Sequence, residues 1–105
     1  MAIPIDLESY QQDLSPNTLY YAKNSGRGGS PSGEREDSGI IVVGGTVDIY
    51  GSLHKPSSPP ADMALDRVAF QGLDVFEWIP TYIYIVVNSG TPVITVSSIE
   101  VQEVV

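Results

Sequence analysis

Tyr82-Ile83-Tyr84-Ile85-Val86-Val87-Asn88-Ser89-Gly90-Thr91-Pro92-Val93-Ile94-Thr95-Val96-Ser97 decides how this chain is read. Two runs rich in β-branched and aromatic residues flank a short Asn88-Ser89-Gly90-Thr91-Pro92 break. Such side chains suit a pleated, half-buried surface, and Asn, Gly and Pro mark turns, so the stretch predicts an antiparallel hairpin. Tyr82 and Tyr84 alternate with Ile83 and Ile85, which puts the two pairs on opposite faces of one strand. Beyond the break the phase slips. Ile94 and Val96 share a face, whereas Ile99 and Val101 lie one register off, so a bulge or bend at Ser97-Ser98 is expected.

Working upstream, Gly39-Ile40-Ile41-Val42-Val43 and Thr46-Val47-Asp48-Ile49-Tyr50 are two further strand candidates around Gly44-Gly45. Glycine supplies the positive φ that tight hairpin turns require, so a second hairpin is expected there. Val47 and Ile49 face one way, while Thr46, Asp48 and Tyr50 face a solvated or partner-contacting side. Residues 65–70 fit a strand or a short helix, residues 73–79 follow, and Pro80 closes the run. Residues 53–61 carry Pro56, Pro59 and Pro60 and form a loop. Residues 18–23 supply the first strand of the domain. Seven or eight short strands with regular turn signals predict an all-β fold, an antiparallel β-sandwich or jelly-roll-like domain over residues 18–105.

Two segments stand apart from that rhythm. Residues 1–17 form an N-terminal arm, in which Pro4 and Pro16 bracket Ile3, Ile5, Leu7, Tyr10 and Leu14. The apolar spacing changes from two to three and four, so the arm reads as extended across a neighbour, or as one helical turn over residues 7–14 capped by Asp6. Residues 24–38 hold four Gly, four Ser, one Pro and the charged Glu34-Arg35-Glu36-Asp37, a composition that builds no element. They form a long flexible loop, whose role is contact with another subunit.

Composition narrows the function classes. A chain of 105 residues is one domain with at most an accessory arm, and 42% hydrophobic residues suffice for a core. Thirteen acids against five bases leave a net charge of −8, which disfavours nucleic acid and anionic membranes and favours solubility or a basic protein partner. The absence of cysteine removes disulfides, thiolate metal sites and cysteine nucleophiles. The first residues lack a basic region and an apolar run, so no signal peptide is expected. No apolar run reaches the ~18 residues that span a bilayer.

No constellation of reactive groups emerges. His54 is the single histidine, in a Ser-Leu-His-Lys-Pro loop with no nucleophile and carboxylate placed beside it, and reads as a surface residue. Residues 26–33 are glycine-rich but precede no helix and lack the lysine of a phosphate-binding loop. Asp62, Asp66, Asp74 and Glu77 lack the close spacing of a calcium loop and read as solvated acids, and a glycosidase pair finds little support in a small acidic β domain. Trp78, Tyr82 and Tyr84 either stack on a ligand and anchor an interface, or cover the core. The expectation is a non-enzyme with no catalytic residue, metal or cofactor.

The run Gly45-Thr46-Val47-Asp48-Ile49-Tyr50-Gly51-Ser52, a Pro/Ser loop, Thr81-Tyr82-Ile83-Tyr84-Ile85-Val86-Val87 and Gly90-Thr91-Pro92-Val93-Ile94-Thr95-Val96 together resemble small β-sandwich structural proteins of tailed bacteriophages. The resemblance covers about half the chain and is a β rhythm. It implies a virion component on the capsid surface, made in the host cytoplasm: a capsid decoration or cement protein that binds the major capsid protein and stabilises its shell. A neck or tail accessory, or a carbohydrate- or receptor-binding module, is the alternative. A homo-oligomer, with a trimer favoured, follows from the need to shield sheet edges. The residues expected to meet partners are Ile3, Ile5, Leu7, Tyr10 and Leu14 of the arm, Arg27 and Arg35 of the loop, and Tyr82 and Tyr84.

Overall fold

A computed structural model describes residues 12–23, 38–76, 80–97 and 100–104. The expectations for Ile3, Ile5, Leu7, Tyr10, Arg27, Arg35, Glu77, Trp78 and Ile99 therefore lie outside the described residues. Those described form six β-strands and no helix: β1 (Gln12–Leu14), β2 (Thr18–Lys23), β3 (Ser38–Ser52), β4 (Ala64–Phe76), β5 (Tyr82–Val96) and β6 (Glu100–Glu103). All pair antiparallel in one sheet of order β4-β3-β5-β2-β6, with β1 beside β5. The all-β antiparallel expectation holds at that level.

Among the described residues the strands are fewer and longer than expected. Three of the six strands run 13 to 15 residues. Each passes through a glycine at positive φ, Gly44 in β3, Gly72 in β4 and Gly90 in β5, of which Gly44 and Gly90 lie in the expected turns. The two expected hairpins are thus single strands that pair with each other along their whole length, from Ile40 opposite Val96 to Ser52 opposite Tyr82. Residues 65–70 and 73–76 merge into β4, which settles the choice between strand and helix. Positive φ serves a bulge as well as a turn, and local sequence does not separate the two.

The glycines meet. Gly45 lies opposite Gly90, and Thr46 opposite Ser89, with their hydroxyls 2.9 Å apart. A side chain on Gly90 would collide with the Gly44 carbonyl, and one on Gly45 with the Ser89 carbonyl. The close approach marks a corner in the sheet. Four steps from Leu14 to Thr18 oppose nine from Ile94 to Ile85, so β5 takes a long detour that the β1–β2 connection cuts across. Ile40 and Val42 before the corner are buried with Val47 and Ile49 after it, an alternation reset by the bulges. Buried residues from both sides of the Gly45–Gly90 approach belong to one core cluster.

That core holds Leu14, Tyr20, Ile40, Val42, Val47, Ile49, Ile83, Ile85, Ile94, Val96 and Val101. Its fully buried members are all Ile or Val, side chains whose restricted χ1 suits strands. Each buried Ile or Val stabilises the fold by about 1.5–3 kcal/mol relative to exposure. Leu14, expected in the arm as a partner contact, is 5% exposed and belongs to the core, because β1 pairs with β5. The Gln12 side-chain carbonyl accepts the Val101 N–H at 3.0 Å, tying β1 to β6. The phenol of buried Tyr20 accepts the Ser15 N–H at 2.6 Å, which satisfies its polar tip in the β1–β2 connection. Val101 reaches the core from a separate strand on β2, so the phase slip after Val96 marks a change of pairing partner.

Candidate interaction surfaces

The corner divides the outer surface into two faces of different chemistry. Residues 39–43, 72–76 and 93–96 build the first. Ile41 pairs with Leu73 on one side and Thr95 on the other, Val43 pairs with Val93, and Gly39 pairs with Val75. Directly paired residues share a face, so Ile41, Val43, Leu73, Val75 and Val93 form one aliphatic strip across β4, β3 and β5. All five are exposed, Leu73 most at 73%. Single exposed aliphatics are ordinary on a protein surface, whereas a contiguous group marks a contact. At the β1 border, Thr95 Oγ1 donates to the Asp13 carboxylate at 3.2 Å.

Residues 47–52, 82–87 and 18–21 build the second face. Tyr50 pairs with Tyr84, which also pairs with Leu19, and Tyr82 lies between Ser52 and Tyr21. Four tyrosines thus share the surface opposite Ile49, Ile83, Ile85 and Tyr20. The Tyr21 and Tyr82 rings meet edge to face, centroids 5.4 Å apart, a contact worth about 0.5–1.5 kcal/mol beyond its area. Tyr82 and Tyr84 are therefore neither core nor free: they are half-buried on the outer face. Tyr21 and Tyr50 join them through pairing across strands far apart in sequence. At the end of this face, Gly51, Ser52, Leu53, Asp62, Ala64, Leu65, Asp66 and Pro80 line an open groove of about 520 Å³.

Between the faces, Asp48 holds the corner. Its Oδ1 accepts Asn88 Nδ2 at 2.7 Å and the Ala69 N–H at 2.9 Å, so one carboxylate pins bulges on both neighbouring strands. The Asn88 bond and then the Ala69 bond hold its pKa below the usual carboxylate range, and slight burial opposes them. The inner side of β4 closes the open rim of the core. Arg67 lies over Phe70, 5.9 Å from its centroid, and its Nη1 reaches Asp74 Oδ2 at 3.2 Å. Residues 67 and 74 belong to different halves of β4, so this ion pair spans the fold of the sheet.

The remaining sequence candidates have structural partners. Asp62 accepts the Ser57 and Ser58 N–H groups at 2.7 and 3.1 Å and shapes the proline-rich loop. Desolvation raises the Asp62 pKa, but those two bonds outweigh it and keep it low. Asp66 and Asp74 both lie within ion-pair reach of Arg67. His54 is exposed; its N–H donates to Ser52 Oγ, which in turn donates to the His54 carbonyl. Among the described residues no three His, Asp or Glu side chains cluster as metal ligands would. Sequence reasoning missed the aliphatic strip, because an unbroken run such as 40–43 reads as buried on both faces. The two-residue spacing of Leu73 and Val75 was its one local signal.

Compared with family models, with curated protein sequences and with solved structures, the chain matches none.

Proposed function

We propose that this chain is a non-enzymatic structural protein of a tailed-bacteriophage virion, a capsid decoration or cement protein that binds the major capsid protein and stabilises its shell. The observation that supports this reading is the pair of outer faces, one aliphatic and exposed, the other tyrosine-rich and half-buried, on either side of the Gly45–Gly90 approach. A bridging element needs two contact surfaces of different chemistry, because it must hold its neighbours and the shell at once. We assign the tyrosine face to the shell, since tyrosine supplies large rigid contact area with a polar tip, and the aliphatic strip to a neighbouring copy. In this reading the sheet closes as a small sandwich over residues 18–105 and carries both faces. The net charge of −8 suits an outer-surface protein that must not bind packaged DNA.

Quantitative mass spectrometry of purified particles tests the reading. Hundreds of copies per particle are expected; six or twelve would move the protein to the neck or tail, and none would end the proposal. Because Leu14 is in the core, the informative truncation removes residues 1–11 and leaves β1. That variant is expected to stay folded and lose shell binding.

The four tyrosines also favour a second reading, a carbohydrate- or receptor-binding module, since an aromatic face can stack on sugar rings. Retention of the chain on a glycan column, abolished in Tyr82→Ala/Tyr84→Ala with the fold intact, would select it.

A further inference from the structure

We infer that the groove at the end of the tyrosine face receives a basic side chain, arginine above all, from an extended segment of a partner protein. The inference deepens the proposed reading, because the groove continues the surface assigned to the shell, and it rests on that reading only for the partner's identity. The groove holds about 520 Å³, the size of a small-ligand site. Leu53, Ala64, Leu65 and Pro80 give it apolar walls, and Asp62 and Asp66 are the charged residues that line it. No lysine, arginine or histidine does so among the described residues. Leu53 and Leu65 are 60% and 51% exposed, so an occupant has aliphatic surface to cover.

Both carboxylates are placed to accept. Asp62 is held by the Ser57 and Ser58 N–H groups at 2.7 and 3.1 Å, which fix it in the lining before any ligand arrives. Asp66 lies 3.7 Å from Arg67 Nε, whereas Arg67 Nη1 reaches Asp74 at 3.2 Å, so the closer pairing of that arginine is with a residue outside the groove. An anionic occupant would meet two like charges, and a purely apolar one would desolvate them without a partner. An arginine answers both parts: its methylene stem lies on the leucines, and its guanidinium fork donates to the carboxylates. Tyr50 pairs directly with Leu65, and Tyr82 with Ser52 of the lining, which sets two aromatic rings at the border of a cation site.

The strand order selects the form of the segment. β4 is an edge strand, with no pairing on its far side among the described residues. Residues 64–66 of that edge line the groove, so an extended segment can add beside β4 while one of its side chains enters. The net charge of −8 draws such a basic segment in, and screening weakens the contact as salt rises.

Titration of the full chain with acetyl-Val-Arg-Val-amide, followed by NMR, tests the inference. Saturable shifts centred on Leu53, Leu65 and Asp66 are expected. The citrulline counterpart, of the same shape without the charge, should bind at least about tenfold more weakly. Raising salt from about 0.05 M to about 0.5 M should weaken the arginine peptide several-fold. Asp66→Asn should cost about tenfold in affinity. Glu103→Gln, the same charge change at the opposite edge of the sheet, should cost less than about twofold. Ala64→Phe fills the groove and leaves both carboxylates, so it should abolish the shifts with the fold intact. Equal binding of the two peptides would overturn the inference, as would equal losses in Asp66→Asn and Glu103→Gln, or full binding by Ala64→Phe. Salt-insensitive binding of a neutral sugar in the groove, in place of the peptide, would also overturn it and favour the glycan reading. Peptide binding by a chain absent from purified particles leaves the groove's specificity standing and removes the virion reading; a chain abundant on particles that ignores the peptide does the reverse.

Discussion

The two halves of the sheet, on either side of the Gly45–Gly90 approach, bury the same kind of core and present different surfaces. Ile40, Val42, Ile94 and Val96 line one half, and Val47, Ile49, Ile83 and Ile85 the other, all at 3% exposure or less. Outside, the first half offers aliphatic side chains and the second offers tyrosines. The inner face of a strand is chosen for packing alone, where any β-branched residue of fitting volume serves. The outer face is free of that demand, so its chemistry is the part that points to partners.

The largest effects should be those that ignore the difference. Ile85→Ala and Ile94→Ala, one from each half, should each lower unfolding stability by about 2–5 kcal/mol in denaturant titrations. Similar losses would confirm one shared core; a loss confined to one half would mean the halves fold separately. Next comes the corner that joins them. Gly90 has φ 72° and no room beside the Gly44 carbonyl, so Gly90→Ala should cost about 1–3 kcal/mol from backbone strain, with more from the collision. A neutral result would show that the two strands do not approach as described.

Surface changes should separate the halves. Tyr82→Ala breaks the edge-to-face contact with Tyr21 and should cost about 1 kcal/mol in stability, while lowering shell binding at least tenfold. Leu73→Asp should leave thermal unfolding nearly unchanged, within about 0.5 kcal/mol, and act on assembly alone. If both variants impaired the same binding event, the division of labour between the faces would be lost.

The smallest effect belongs to Asp48. Its pKa is lower in the folded chain than in the unfolded one, so its contribution is full above the usual carboxylate value and fades as pH falls through the folded value. Being largely solvated, it should contribute less than about 1 kcal/mol. In Asp48→Ala the part of the stability loss below about pH 4 that belongs to this group should vanish. Urea titrations of both chains from pH 7 to pH 3 measure it, and parallel curves would show that the corner does not depend on this carboxylate.

Part of the core was legible in the residues. Alternation paired Ile83 with Ile85 and Ile94 with Val96 on common faces and put Tyr82 and Tyr84 opposite Ile83 and Ile85, because a period of two is a local property of a strand. The glycine positions were legible as interruptions but not as corners. Gly44-Gly45 and Asn88-Ser89-Gly90 each satisfy the local chemistry of a hairpin turn, and only their mutual approach makes them one bend. Leu14 illustrates the same limit, since three residues flanked by proline carry too little pattern to announce a strand. The four-tyrosine face was half legible: Tyr82 and Tyr84 lie two residues apart, whereas Tyr21 and Tyr50 arrive from strands paired across 61 and 34 residues respectively.

Composition and periodicity alone pointed to antiparallel β-structure in this acidic chain and to the side chains that share a face within the runs 47–50, 82–85 and 94–96. Both follow from short-range physics, the alternation of Cβ directions and the preferences of branched side chains. Which strands pair, and which outward residues gather into faces, come instead from register. Register couples residues distant in the chain, and the energy that selects it comes from burying one continuous core rather than from any local signal.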